Sequence, residues 1–196
     1  MCFRAATMGA TAWKQLAMAA AARVRTVCAT PHFYPHKESI PSFLQRREAS
    51  ARLLRENLTA DAPQLQLGAE VLICDGMERL DGLPRLCRSE TNELLLEMPF
   101  YQWPEAIWDT LYALCERRDI KIVLAHAERY PPEAIEQLIR DNVALQLNSE
   151  CLTRPLHRKR YLTWIKNGSV KYLGSDIHML GDGYRAWEKC VKLLGK

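Results

Sequence analysis

Short apolar runs alternate with amphipathic stripes along most of the chain. Residues 25–29 form an apolar run closed by the breaker Thr30-Pro31, which predicts a short buried strand. Over residues 42–58, Leu44, Ala51, Leu54 and Leu58 share one helical face while Arg46, Arg47, Glu48 and Arg55 lie off it. Residues 65–73 and 93–97 read as the next two strands. Trp103-Pro104 then opens a helix that buries Ile107, Leu111 and Leu114. Further strands are predicted over 121–125, 143–147 and 170–174. Helices are predicted over 132–140, with Ile135, Leu138 and Ile139 inward, over 155–166, and over 184–194. Asn167-Gly168 supplies the stop signal behind the 155–166 helix.

Apolar strands alternating with helices predict an α/β fold with a mainly parallel sheet buried on both faces, either open or closed into a barrel. No repeat, low-complexity tract or linker divides the chain, so residues 1–196 read as one domain. Its 48% hydrophobic and 26% charged residues are ordinary globular composition. A net charge of +4 does not by itself call for a nucleic-acid partner. No apolar run is long enough to span a membrane. The alanine-rich segment near Ala19 is interrupted by Lys14 and Gln15, and reads as a helix rather than a signal peptide. Seven cysteines, odd in number and irregular in spacing, with no C-x-x-C pair, read as the reduced thiols of a cytoplasmic protein. Residues 151–171 hold six Lys/Arg and no acid; a solvated helix face and a surface for phosphate or an acidic partner both account for this.

The chemistry sits where the strands end. His32 follows the 25–29 strand, Glu70 lies in the next, Glu97 and His126 end two more, and Asp176 and His178 follow the last. Strands of a parallel sheet point their carboxyl ends the same way, and barrel active sites gather at that edge. Three histidines and three carboxylates would therefore share one rim. Buried carboxylates without a positive partner are costly, and a metal cluster removes that cost. Oxygen and imidazole donors without thiolate suit Mn, Fe or Zn. Carboxylates bridging two ions about 3.5–4 Å apart are the apparatus of phosphoester hydrolysis. Arg129, three residues past His126, could grip a phosphate bidentately or pair with Glu128 or another acid. Arg185 is a weaker substrate-binding candidate that also reads as a surface residue.

The segments Ala29-Thr30-Pro31-His32, Gly68-Ala69-Glu70, Leu95-Leu96-Glu97-Met98-Pro99, His126-Ala127-Glu128-Arg129-Tyr130, Gln146-Leu147-Asn148 and Gly174-Ser175-Asp176-Ile177-His178 occur in this order. Together they resemble the bacterial PHP-type, manganese-dependent protein-tyrosine phosphatases of capsule and exopolysaccharide operons, over roughly residues 9–190. The resemblance implies a distorted (β/α)7 barrel with a trinuclear metal centre. It implies Glu97 as the carboxylate bridging the first and second ions, with Glu70 and His126 completing the second site. Asp176 would serve the first site, His32 and His178 the third, and Arg129 the substrate phosphate. It also implies Mn2+, with Fe or Zn as alternatives, and the phosphotyrosine tail of a bacterial tyrosine kinase as partner.

The family opens with a strand carrying Asp-x-His-x-His and an acidic turn. Here the chain begins Met1-Cys2-Phe3-Arg4, and no histidine precedes His32. The expectation is a barrel lacking its first strand, through a late reading-frame start or through degeneration, with residues 1–22 atypical and partly helical. Fewer than three ions are then expected, with weak catalysis unless another residue such as His36 completes the site. The strand at 25–29 would keep an open edge facing the strand near Val170, available to a loop, a helix or a second copy of the chain. Two other readings stay open: a small-molecule PHP phosphatase, and a catalytically impaired module that docks phosphotyrosine tails.

Overall fold

Pro31 sets the first local feature of the sheet, because it offers no N–H to a ladder. The computed structural model describes residues 8–56, 58–59, 62–177 and 183–195. In it β1 (Thr26–Ala29) stops before this proline and β2 (His32–Phe33) resumes after it. The neighbouring strand breaks in step, into β3 (Gln64–Leu67) and β4 (Glu70–Leu72), where the sequence predicts one strand over 65–73. Two bonds carry the pairing across the break: Gly68 N–H donates to the Ala29 carbonyl at 2.9 Å, and Glu70 N–H to that of Pro31 at 3.1 Å. The Thr30 methyl would stand 3.2 Å from a Cβ on Gly68, so glycine there lets the two kinks pack without displacing Thr30.

From β4 the sheet runs in chain order through β5 (Glu93–Glu97), β6 (Lys121–Leu124), β7 (Ala144–Asn148) and β8 (Val170–Gly174). Every pairing is parallel. Side chains alternate as the pleat requires. On β5, Leu94 and Leu96 enter the core against the helices, whereas Glu93 and Leu95 line an interior cavity.

The outer layer is α2 (Ile40–Arg55), α3 (Glu105–Glu116), α4 (Pro132–Arg140), α5 (Ser149–Thr153), α6 (Arg158–Lys166) and α7 (Gly183–Leu193). Ser39 caps α2 by accepting the N–H of Ser42. Pro104 is the N-cap of α3 rather than its first residue. The helix predicted over 155–166 starts only at Arg158, because Pro155 separates it from the short α5 that the sequence reading missed. Among the described residues no helix is long and apolar enough to cross a membrane.

Across the concave face of the sheet, side chains of β5 and β8 meet. At the amino ends of these strands Glu93 takes hydrogen bonds from Arg88 at 2.8 Å and from the Tyr172 hydroxyl at 2.7 Å, and pairs with Lys171. Among the described residues no ladder joins β1 or β2 to β8. Beside this opening, α1 (Met8–Ala21) packs Ala12, Leu16 and Ala19 against Val27, Leu54, Ile177 and Tyr184. A cavity of about 350 Å3 runs between Val27 and Cys28 on one side and Tyr172 and Leu173 on the other. The atypical N-terminal segment is thus helical over Met8–Ala21, and its first seven residues lie outside the described ones.

Candidate metal centre

Glu70, the first residue of β4, and Glu97, the last of β5, both turn inward and are 8% and 6% exposed. Each is buried because it sits on an otherwise apolar strand, beside Val71 and Leu96. Two imidazoles close on them from either side. His126 Nε2 lies 3.2 Å from Glu70 Oε1 and 3.4 Å from Glu97 Oε1. His32 Nδ1 lies 3.5 Å from Glu70 Oε1 and 3.8 Å from Glu97 Oε2. Ligand atoms of His32, Glu70 and Glu97 fall within 4.8 Å of one another. His32, Glu70 and Glu97 thus offer one point nitrogen and oxygen donors, the set that suits a transition metal or zinc, and His126 adjoins both carboxylates. Among the described residues the buried Nδ1 of His126 makes no hydrogen bond, so the polar contacts of its ring run through Nε2.

The charges at the cluster are coupled. Burial alone would raise the Glu70 carboxyl, but the hydrogen bond and charge of His126, with the charge of His32, outweigh it and hold Glu70 below its ordinary value. Burial likewise disfavours a charged His126, yet hydrogen bonds to Glu70 and Glu97 push its pKa up to about 9. Two carboxylates thus bind a proton where a cation would serve the same purpose.

His126 takes a left-handed backbone conformation, φ 33°, on leaving β6, and Asp176 does so after β8, φ 46°. Such conformations are uncommon for residues with a side chain and hold only where the surroundings enforce them. The enforcement here comes from β7. The Gln146 side-chain carbonyl accepts the His126 N–H at 2.5 Å. Its amide donates to Asn148 Oδ1 at 2.9 Å, and Asn148 Nδ2 donates to Asp176 Oδ2 at 3.0 Å. Gln146 and Asn148 are both buried and share one face of β7. In the sequence Gln146-Leu147-Asn148 is one of the segments that carry the resemblance, with no role assigned to either amide; their alternation within Leu145-Gln146-Leu147-Asn148 is the signal for one.

Arg129 ends the turn Ala127–Arg129 beyond His126 and points at the same rim. It ion-pairs with Asp176 and lies 3.9 Å from Glu128. Glu128 accepts the Asn148 N–H at 3.1 Å, and burial raises its carboxyl above the usual range. The structure therefore brings His32, Glu70, Glu97 and His126 into one cluster and ties Asp176 to Arg129 and Asn148 beside it. His178 lies outside the described residues. Arg185 is exposed in the first turn of α7, and His36 is exposed with its ring 6.0 Å from that of Tyr34.

The model of one family, capsular polysaccharide synthesis, CpsB/CapC, matches residues 5–196. No curated protein matches the chain. Among solved structures, a chain from the crystal structures of YwqE from Bacillus subtilis and CpsB from Streptococcus pneumoniae aligns with a TM-score of 0.75 and 23% identity. The alignment covers 97% of this chain and 80% of that one, and those proteins are described as unique metal-dependent tyrosine phosphatases. At this identity the likeness establishes a shared fold.

Proposed function

The chain belongs to the CpsB/CapC family of capsular polysaccharide synthesis, and from that membership we propose that it is a metal-dependent protein-tyrosine phosphatase. The observation that carries this reading is the convergence of His32, Glu70 and Glu97 on one point, with His126 beside both carboxylates and Arg129 on the adjoining turn. His32, Glu70, Glu97 and His126 would hold metal, Glu97 is proposed to bridge two ions, and Asp176 and His178 are proposed as further ligands. Mn2+ is the proposed ion, with Fe or Zn as alternatives. Bound metal supplies a hydroxide at neutral pH and a clamp on phosphoryl oxygens.

The chain's own residues do the rest. Arg129 binds the phosphate through its guanidinium fork, which requires it to exchange Asp176 for substrate. Asn148 and Gln146 keep Asp176 and the His126 backbone in place during that exchange. The proposed substrate is the phosphotyrosine tail of a bacterial tyrosine kinase, met in the cytoplasm, and Arg185 is proposed as a subsidiary contact. Purified protein should contain bound metal, and should hydrolyse p-nitrophenyl phosphate and a phosphotyrosine peptide when Mn2+ is supplied. Absence of both metal and turnover would leave a docking module as the surviving reading. Preference for small phosphates over the peptide would favour a small-molecule phosphatase.

A further inference from the structure

Phe100 is 67% exposed and Tyr101 68%, three and four residues beyond Glu97. Scattered exposed apolar residues need no explanation. This pair differs in being adjacent and displayed on a fixed loop beside the cluster. Tyr130 grips the loop at Met98, accepting its N–H at 3.0 Å and donating to its carbonyl, and Trp103 Nε1 donates to the Pro99 carbonyl at 2.9 Å. Between these two anchors the Phe100 ring lies stacked 5.9 Å from the His126 ring, at 22°, and 6.1 Å from the Tyr130 ring, at 26°. It therefore lies against the two rings that flank the turn carrying Arg129, with much of its surface left to solvent.

We infer that Phe100 forms an aryl subsite, receiving the ring of an aromatic phosphate ester whose phosphate lies at Arg129 and the cluster. The inference rests on the proposed phosphate-binding role of that cluster. A phosphate held there has its ester oxygen directed away from the buried carboxylates, toward the rim where Phe100 stands. An aryl substituent can stack on this ring, whereas an alkyl substituent such as that of phosphoserine loses the aromatic pair. The size expected of one such pair is a preference of about 2- to 10-fold.

The test is equilibrium binding of phenylphosphonate and methylphosphonate, which cannot be hydrolysed, to full-length protein supplied with Mn2+. Wild type and Phe100→Tyr should prefer the phenyl compound by about 2- to 10-fold, and Phe100→Ala and Phe100→Leu should lose that ratio. No preference in wild type, its retention in Phe100→Ala, or equal ratios for Phe100→Leu and Phe100→Tyr would overturn the subsite. Turnover of a phosphotyrosine peptide is measured in parallel. A phenyl preference without turnover leaves the subsite standing and removes the hydrolase. Failure to bind either phosphonate removes the phosphate-binding reading, and the subsite with it.

Discussion

The side-chain amide of Gln146 occupies the space into which a Cβ on Gly174 would project. This contact joins β7 to β8 where the candidate centre needs both, since Gln146 also holds the His126 N–H and, through Asn148, Asp176.

Gly174→Ala should consequently displace Gln146 and release both partners. The expected cost is about 1–3 kcal/mol of stability, as for other overpacked sites, together with weaker metal binding. Urea denaturation and metal titration measure the two effects. A variant with wild-type stability and metal affinity would show that Gln146 moves aside freely.

Metal content should distinguish the two acidic groups. Glu97 faces both imidazoles, whereas Asp176 is engaged by Arg129 and Asn148. Elemental analysis should find that Glu97→Ala loses more metal per chain than Asp176→Ala. Equal losses would count against a bridging role for Glu97.

Arg129→Lys keeps the charge but loses the fork. Turnover of a phosphotyrosine peptide should fall about 10- to 100-fold in kcat/KM, the worth of a charged hydrogen bond. An unchanged value would place the phosphate elsewhere.

Acid sensitivity should come in part from the far end of the sheet. Burial alone would raise the Glu93 carboxyl above 4.5, but hydrogen bonds from Lys171, Arg88 and Tyr172 bring it down to about 2. A carboxyl whose folded value is depressed contributes stability above its unfolded value, and loses it as pH falls through the folded one. Between about pH 5 and pH 2 the protein should therefore lose about 1 kcal/mol or more through this group, solvent at Lys171 screening part of the effect. Chemical denaturation across that range should show a shallower pH dependence for Glu93→Gln than for wild type. Identical slopes would exclude Glu93 as the source.

Much of the candidate centre was readable because Glu70, Glu97 and His126 interrupt or end apolar runs, and such residues are placed by strand direction alone. The two-residue β2 was not readable, because pattern needs length and Pro31 had cut it short. The split at Gly68 depends on the nearness of the Thr30 methyl, a tertiary fact. Arg129 was open between phosphate and an acid, and the acid it meets is Asp176, 47 residues away, rather than its neighbour Glu128 alone. The exposure of Phe100 was equally hidden, since Leu95-Leu96-Glu97-Met98-Pro99-Phe100 gives no sign of where the core ends.

The order of strands in the larger sheet is the order of the chain, from β2 and β4 through β8. A nascent polypeptide can therefore add each strand to the one that left the ribosome just before it, with no earlier strand waiting exposed for a distant partner. The exception is the tie from Glu93 to Lys171 and Tyr172, which spans 78 and 79 residues. Until those two residues are synthesised, Glu93 has only Arg88 among these partners, and the sheet is free to lie flatter. Curling is thus a late event, and a released fragment ending before Lys171 should be cleaved by protease faster than the full chain.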